Sequence, residues 1–321
     1  MDGFGYWHNQ TVRLAFDPLQ FRAFKPFWMM EKITVQVPAS TSNLGPGFDC
    51  LGVALRLYNF VTIAGGGEHR PSRIVDEAAR KFFKESRAPT FSFSFVIRGE
   101  VPSSRGLGAS ATIRLGVLHG LNRLAGDPLD RLSILQLCAR LEGHPDNAAP
   151  ASLGGFTVAR GQTVQRFEVS RRLHFVLLIP DFEIKTARAR NVLPSKMDRA
   201  AAVESCANAC AITAAFTSRN YENLRGKFVD YLHQPFRQKL IPFLPRAVAA
   251  AEKAGALGAF LSGSGSTIAA VTLLDRHKVA AAMLRAARSA SARTVITTAD
   301  NNGVSFTSRL PTINSPNVSL D

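Results

Sequence analysis

The sequence is poor in cysteine and in acidic residues. It has four cysteines in 321 residues, too few for the disulfide framework of a secreted scaffold. Asp and Glu number 24 against 39 Lys and Arg, which gives a formal net charge of +15. Such an excess makes nucleic acid a partner to consider. The basic residues are scattered, however, with no run longer than a pair such as Arg171-Arg172. We therefore expect attraction to small anions and predict no nucleic-acid partner.

Targeting segments and metal-binding cysteine patterns are also missing from the sequence. No segment reaches the roughly 18 apolar residues that cross a bilayer, and charged residues interrupt residues 1–30, unlike a signal-peptide core. Cys206 and Cys210 share a helical spacing, but without a second pair a structural role is favoured. We predict a cytoplasmic protein with no membrane partner. We also expect translation to begin at Met29 or Met30, which leaves 1–30 as an irregular N-terminal extension.

The most informative stretch runs from residue 101 to 124, where a loop rich in Gly and Ser precedes an apolar periodic segment. A loop that leads into a helix N-terminus presents free N–H groups and a partial positive charge, and so predicts a phosphate site. No Gly-Lys-Ser/Thr follows, which excludes a Walker A loop. Gly106 to Ala111 matches the dinucleotide fingerprint weakly, because the apolar run 91–97 does not lead directly into it. An ordinary glycine-rich turn stays an alternative.

Two further polar stretches are candidates for binding groups. Asn43 and Asp49 lie in the turn-rich loop 39–49, where an amide and a carboxylate suit a polar substrate, although Asn43 equally suits a plain turn. Residues 142–147 place Glu142, His144, Asp146 and Asn147 close together. A carboxylate there, with a hydroxyl from the glycine-rich loop, fits Mg²⁺. His144, beside a proline, is interpreted as structural.

Apolar periodicity predicts the elements around these loops. The predicted strands are 32–38, 58–64, 90–97, 174–179, 257–261, 267–274 and 293–297. The predicted helices are 76–85, 109–124, 129–141, 198–219, 222–232, 245–254 and 276–290. Because strands and helices do not alternate strictly, the fold class is α+β. We expect an N-terminal lobe at 31–175, a C-terminal lobe at 176–310 and a loose tail at 311–321.

Several motifs in register resemble the GHMP small-molecule kinases. They are the loop at 43–49, the loop at 102–111, the segment 142–147 and the turn at 258–267. Within that family, the homoserine kinases are most similar, on the basis of Asn43-Leu-Gly-Pro-Gly-Phe-Asp49, Glu142-Gly-His-Pro-Asp-Asn147, Thr186 to Pro194 and His233-Gln-Pro-Phe-Arg237. The resemblance spans residues 31–310.

The resemblance implies a set of site residues. ATP would lie against the backbone of Pro102, Ser103, Ser104, Arg105, Gly106, Leu107, Gly108, Ala109, Ser110 and Ala111, and against Gly263, Ser264 and Gly265. Mg²⁺ would be held by Ser110 and Glu142. The substrate L-homoserine would be bound by Asn43, Asp49, Asp146, Asn147, Arg190 and Arg237, with Asn147, Thr186 and Arg190 in catalytic roles.

The resemblance also implies a two-lobed fold, with a ribosomal-protein-S5-like N-terminal lobe, a ferredoxin-like C-terminal lobe and a homodimer. The implied reaction is phosphorylation of the homoserine hydroxyl for threonine biosynthesis, by positioning and Mg²⁺ without a strong base. Ala109, Thr112 and Ser266 depart from the family pattern, and none of these changes removes a charge. Another small alcohol such as mevalonate is the alternative substrate. A dinucleotide-dependent oxidoreductase and a nucleic-acid-binding module are the alternatives outside the kinases.

Overall fold

The structure is a computed structural model that describes residues 32–67, 71–288 and 291–308. The predicted extension at 1–30 and the predicted tail at 311–321 lie outside the described residues. The described residues form two antiparallel sheets with helices on their outer faces. This arrangement agrees with the predicted α+β class.

The first sheet carries the N-terminal half of the chain. It contains β1 (Lys32–Ser42), β2 (Leu51–Gly65), β3 (Phe93–Gly99), β4 (Phe156–Arg160), β5 (Thr163–Phe167) and β10 (Ser305–Phe306). The strand order is β10-β1-β2-β4-β5, with β3 also paired to β2. Strand β2 runs through the apolar segment 51–57 as well as the predicted strand 58–64. The β4–β5 hairpin was not predicted, because most side chains of β5 are exposed and give no apolar alternation.

The second sheet has the order β7-β8-β6-β9. Its strands are β6 (His174–Pro180), β7 (Gly258–Leu261), β8 (Ile268–Thr272) and β9 (Ala292–Thr298). The predicted lobe boundary at 175/176 falls inside β6. After β9 the chain returns to the first sheet, where Leu55 bridges to Ala299 and β10 pairs with β1. The two sheets are therefore linked by two passages of the chain.

Nine helices occur in the described residues. They are α1 (Arg73–Ser86), α2 (Ala109–Leu124), α3 (Arg131–Glu142), α4 (Ala148–Leu153), α5 (Thr186–Asn191), α6 (Arg199–Ser218), α7 (Gln234–Arg237), α8 (Leu244–Lys253) and α9 (Arg276–Ala287). The helix predicted at 222–232 is wrong. The chain there makes only a 3₁₀ turn, because Gly226 adopts a φ of 71° and Asp230 accepts backbone N–H groups of residues 232–234.

A hydrophobic core lies between the two sheets. It combines Leu55 and Phe156 of the first sheet with Phe175 and Leu177 of β6, and the ring of Phe156 stacks on Phe216 of α6 at 4.4 Å. Helices α1, α2 and α3 cover the outer face of the first sheet, and α8 and α9 cover that of the second. Burial on this scale is the main stabilising contribution. It fixes the relative position of the sheets.

Helix α2 lies unusually close to β2. A Cβ atom on Gly116 would lie 2.3 Å from Cγ2 of Val61, and one on Gly120 would lie 2.5 Å from Cγ1 of Ile63. The two glycines are four residues apart and so share one helical face. This close approach fixes the position of the α2 N-terminus above the sheet edge.

Helix α6 meets the length and composition of a membrane-spanning helix, contrary to the expectation from the sequence that no segment does. In its most apolar window 28% of the residues are buried in the structure. Ile212, Ala215 and Phe216 belong to the core between the sheets. The helix is thus packed into the fold along one face.

We predict that His119 on α2 makes stability depend on pH. Burial, and secondarily the charge of Arg131, lower the pKa of His119 from 6.5 to about 3. The unfolded chain therefore binds the proton first, and stability falls as the pH decreases from 6.5 towards 3. At about pH 5 the loss is about 2 kcal/mol relative to pH 7.5. Urea unfolding at both pH values measures it.

His119→Phe removes the titrating group and should reduce that pH-dependent loss by about 2 kcal/mol. The matched control is His277→Gln, because His277 is exposed on the surface of α9. A His119→Phe variant with the same pH-dependent loss of stability as the control would contradict the assignment.

Candidate active site

A cavity of about 420 Å³ opens where the loops of the two sheets meet. The structure brings together in its lining most of the predicted site residues, namely Asn43, Asp49, Ser103, Ser104, Arg105, Gly106, Gly108, Ala109, Ser110, Glu142, Asp146, Asn147, Thr186, Arg190, Arg237, Gly263 and Ser264. Pro102, Leu107, Ala111 and Gly265 belong to the same loops but do not line it. Groups more than 200 residues apart in sequence thus meet at one site.

Two glycine-rich turns form one wall of the cavity. Ser262 Oγ donates to the carbonyl of Gly106 at 2.7 Å, and the N–H of Thr267 donates to the carbonyl of Arg105 at 3.1 Å. Gly106 has a φ of 72°, and a Cβ there would lie 2.1 Å from the carbonyl oxygen of Ser262. Only glycine fits, since backbone atoms cannot yield as a side chain can. The contact holds the α2 N-terminus, an anion-binding feature, at the cavity.

Arg105 has a structural role in this wall. Its Nε donates to the carbonyl of Pro180 at 2.8 Å and Nη1 donates to the carbonyl of Ser103 at 3.2 Å. Glu183 forms an ion pair with it at 3.2 Å. The guanidinium therefore ties the glycine-rich loop to the end of β6.

Ser110 and Glu142 meet beside the α2 N-terminus. Ser110 Oγ donates to Oε2 of Glu142 at 2.7 Å, and the Glu142 side chain is only 8% exposed. A hydroxyl and a carboxylate are hard oxygen donors, and Mg²⁺ binds through one or two such groups while keeping several waters. The donor set therefore fits the predicted metal. Glu142 Oε1 accepts a further hydrogen bond from Arg114.

Opposite charges meet at the other end of the cavity. Arg190 of α5 donates to both oxygens of Asp49, at 2.8 and 3.1 Å. The guanidinium carbons of Arg190 and Arg237 lie 5.5 and 5.2 Å from the ring centre of Phe48, within the range of cation–π interactions. One aromatic ring thus supports both cations.

Arg237 is a buried cation without a carboxylate partner among the described residues. It is 2% exposed, and it donates to the carbonyls of Ala189 at 3.1 Å and Gly263 at 3.0 Å. Burial, and then the charge of Arg190, lower the pKa of Arg237 to about 10, so it is protonated at neutral pH. A buried charge is costly unless it is paired. The site therefore favours an incoming anion at Arg237.

His233 positions Arg237. Its Nε2 donates to the carbonyl of Gly45 at 2.8 Å, its Nδ1 accepts from Arg237 at 3.2 Å, and its ring stacks on Phe48. Burial lowers the pKa of His233 to about 4, so the ring is neutral at pH 7 and can accept this bond. The histidine thereby links α7 to the loop that carries Asp49.

Asp146 and His144 form a second charged pair. His144 Nδ1 is hydrogen-bonded to Oδ1 of the buried Asp146. Burial raises the pKa of Asp146, but the hydrogen bond and charge of His144 outweigh it and the net pKa lies below the usual value. For His144, burial lowers the pKa, whereas the bond and charge of Asp146 give a net increase. Ligand atoms of Asp49, His144 and Asp146 lie within 4.8 Å of one another, close enough to surround a cation.

The two asparagines are held by neighbouring groups. Asn147 Oδ1 accepts from Ser40 Oγ at 2.9 Å, and its Nδ2 donates to Ser42 Oγ at 3.0 Å. Asn43 Nδ2 donates to the carbonyl of Gly263 at 3.0 Å, while Oδ1 accepts the N–H of Asp49 at 3.0 Å. Asn43 is 2% exposed, so its amide joins the loops of the two lobes.

Comparison with known proteins agrees with this geometry. Residues 73–155 match the model of the GHMP kinases N terminal domain, and residues 213–291 match that of the GHMP kinases C terminal. Homoserine kinase of Caldicellulosiruptor bescii is 40% identical over 263 residues, which is 76% of this chain and 85% of that protein. The chain belongs to the homoserine kinase family of the GHMP kinases.

A second relative supports this membership, and a solved structure shows the same fold. Homoserine kinase of Synechococcus sp. is 38% identical over 266 residues, 76% of this chain and 87% of that protein. The crystal structure of homoserine kinase from Cytophaga hutchinsonii superposes with a TM-score of 0.79, at 24% identity, over 90% of this chain and all (100%) of that one. The predicted family and the predicted two-lobed fold are thus confirmed. As a kinase of this family, the chain uses ATP as co-substrate.

Several residues of this GHMP kinase cavity were not predicted from the sequence. Arg73, Ile74 and Glu77 of α1 line it, as do Phe48 and Arg114, and His144 lines it although the sequence favoured a structural role. Arg114 lies four residues after Ser110, so the helical period places both on one face of α2. That spacing could have indicated it. The approach of α1 depends on tertiary packing and has no sequence motif.

We predict that Gly106→Ala weakens nucleotide binding in this GHMP kinase. The added Cβ would displace the turn around Ser262 and shift the α2 N-terminus, since it has no space at 2.1 Å. We expect the ATP dissociation constant, measured by calorimetry, to rise by roughly tenfold or more. The control is Gly66→Ala, where φ is also positive at 78° but nothing lies within 4 Å of the added Cβ. Equal affinities in the two variants would contradict the role of this contact.

Proposed function

We propose that this chain transfers the γ-phosphoryl group of ATP to the side-chain hydroxyl of L-homoserine, forming O-phospho-L-homoserine for threonine biosynthesis. The observation that carries the proposal is the buried Arg237, which has no carboxylate partner in the described part of the chain and lies close to the Asp49–Arg190 pair. This arrangement suits a small molecule with a carboxylate and an ammonium group. Membership of the homoserine kinase family supports it.

The charges of the substrate-free site complement a zwitterion. Asp49 and Arg190 neutralise each other, and Asp146 is paired with His144. An amino acid would enter with its carboxylate towards Arg190 and Arg237 and its ammonium group towards Asp49. The ion pair between Arg190 and Asp49 is then replaced by ion pairs with the substrate. Planar guanidinium groups bind carboxylates in a two-bond geometry, which favours this orientation. Mevalonate, the alternative substrate, carries a carboxylate but no ammonium group. It therefore offers no positive charge to Asp49.

The nucleotide would lie with its phosphates at the glycine-rich loop and the α2 N-terminus. The N-terminal N–H groups of α2 bind phosphate oxygens there, and Ser264 lines the cavity in the same wall. Ser110 and Glu142 would hold Mg²⁺, which when bound neutralises charge on the phosphate oxygens. Both protein ligands line the cavity together with the glycine-rich loop.

Catalysis would depend on positioning. Transfer of a phosphoryl group has a loose transition state, so a strong base at the hydroxyl is not required. Asp146 is engaged by His144, and Asn147 is held by two serine hydroxyls beside it. We assign Asn147 to orienting the hydroxyl, with Thr186 beside the transferred group and Arg190 holding the carboxylate. Asn43 contributes by keeping the loop of Asp49 in place.

Asp49→Asn tests the substrate assignment. The change keeps the shape but removes the charge that faces the ammonium group. We expect kcat/KM for L-homoserine to fall roughly ten- to hundredfold, the effect of losing a hydrogen bond to a charged group. KM for ATP should stay within about threefold, because Asp49 is not one of the residues that we assign to the nucleotide. Steady-state kinetics with each substrate varied measures both.

Glu222→Gln on the exposed 3₁₀ turn is the matched control, since it also removes one carboxylate. An Asp49→Asn variant that keeps full activity with L-homoserine would contradict the ammonium assignment. Loss of activity with mevalonate to the same extent would favour the alternative substrate.

The homodimer and the cytoplasmic location expected from the sequence stay predictions. Sedimentation equilibrium of the purified chain tests the first. A monomer at micromolar concentration would contradict it.

A further inference from the structure

Arg114 is bound to Glu142, the carboxylate that we assign to Mg²⁺ binding. Arg114 follows Ser110 by one turn of α2, and both side chains reach Glu142. Ser110 Oγ donates to Oε2 at 2.7 Å, and Arg114 Nη1 donates to Oε1. Both oxygens of Glu142 therefore accept hydrogen bonds from other side chains.

The Arg114 guanidinium has a second carboxylate within reach. Its Nη2 lies 3.5 Å from Oε2 of Glu77 on α1. Its Nε is buried and has no hydrogen-bond partner among the described residues. The side chain is 14% exposed and lines the nucleotide cavity. Arg114 thus bridges two carboxylates, Glu142 and Glu77, and keeps one donor without a partner within the described structure.

The positive charge of Arg114 opposes a free divalent ion at Glu142. Like charges repel more strongly in a partly buried site than in water, because solvent screens them less. A nucleoside triphosphate adds several negative charges and offsets both cations. The same residue therefore hinders the metal alone and tolerates the metal bound to nucleotide.

We propose that Arg114 stays bound to Glu142 until a nucleotide arrives, so that the divalent metal ion enters together with the triphosphate. When the metal binds, the guanidinium leaves Glu142 and pairs with Glu77 alone. Arg114 is then a positioning residue for metal entry. The inference rests on the proposed function, in which Ser110 and Glu142 hold the metal.

Binding of Mn²⁺ without nucleotide tests the first half of the proposal. Electron paramagnetic resonance of free Mn²⁺ gives the affinity of the native chain and of Arg114→Met. We expect Arg114→Met to bind Mn²⁺ roughly tenfold more tightly, because the opposing charge is gone. Glu142→Gln in the Arg114→Met background should abolish that gain. Arg114→Lys, which keeps the charge, should bind Mn²⁺ as weakly as the native chain.

Arg114→Gln is a second neutral variant, with an amide that can still donate to Glu142. It provides the same comparison should Arg114→Met fail to fold, as judged by its circular dichroism. Mn²⁺ affinities of the folded neutral variants that equal the native value would overturn the proposal.

A double-mutant cycle tests the second half. Glu77→Gln removes the alternative carboxylate, so it should weaken binding of Mn²⁺ with a non-hydrolysable ATP analogue. In the Arg114→Met background the same change should have a much smaller effect, since no guanidinium needs to move. Strictly additive effects would overturn the transfer of Arg114 to Glu77.

Glu142→Gln alone separates this proposal from the proposed function. If Glu142→Gln binds Mn²⁺ with the ATP analogue as the native chain does, Glu142 is not a metal ligand and the metal assignment fails with the proposal. If it binds that complex weakly, while Arg114→Met leaves the affinity for Mn²⁺ alone unchanged, only the role of Arg114 is wrong.

Discussion

The contact between two glycine-rich turns is the constraint on which the site depends. Gly106 precedes α2 on the first sheet, and Ser262 follows β7 on the second, and their backbones touch without room for a side chain. This contact fixes the α2 N-terminus against the second lobe. The same lobe supplies Arg190 and Arg237 from short helices. The glycine-rich loop and the charged side chains of the cavity therefore keep fixed relative positions, as transfer between two bound molecules requires.

The charged side chains of the cavity differ in whether they have an oppositely charged partner. Asp49 and Glu142 each pair with an arginine, Asp146 is hydrogen-bonded to His144, and these contacts limit the cost of burying the carboxylates. Arg237 instead donates hydrogen bonds to two carbonyl oxygens and to the neutral ring of His233. Because these partners are neutral, the charge of Arg237 favours a substrate that carries a carboxylate. The ring of Phe48 supports both Arg190 and Arg237 in the cavity.

Much of the fold was predictable because its strongest patterns are local. The helix at 109–124 and the strand ahead of residue 43 follow from apolar periodicity, and the glycine-rich loop follows from its composition. The β4–β5 hairpin was not predicted, because most side chains of β5 are exposed. A helix was wrongly predicted at 222–232, where the φ of Gly226 and the hydrogen bonds to Asp230 leave only a 3₁₀ turn. In the site, the predicted charged residues converge on the cavity. The use of the Arg105 side chain to join the lobes, and the pairing of Arg114 with Glu142, follow from tertiary contacts between distant segments.

The central claim is that the cavity selects an amino acid as phosphoryl acceptor. The most direct test is release of ADP from ATP and Mg²⁺ by the purified chain with L-homoserine, mevalonate, galactose or no acceptor. The account predicts rapid release with L-homoserine and background rates with the other three. Release that depends on mevalonate and not on L-homoserine would contradict the role of Asp49. Release that depends on galactose and not on L-homoserine would contradict the roles of Asp49, Arg190 and Arg237.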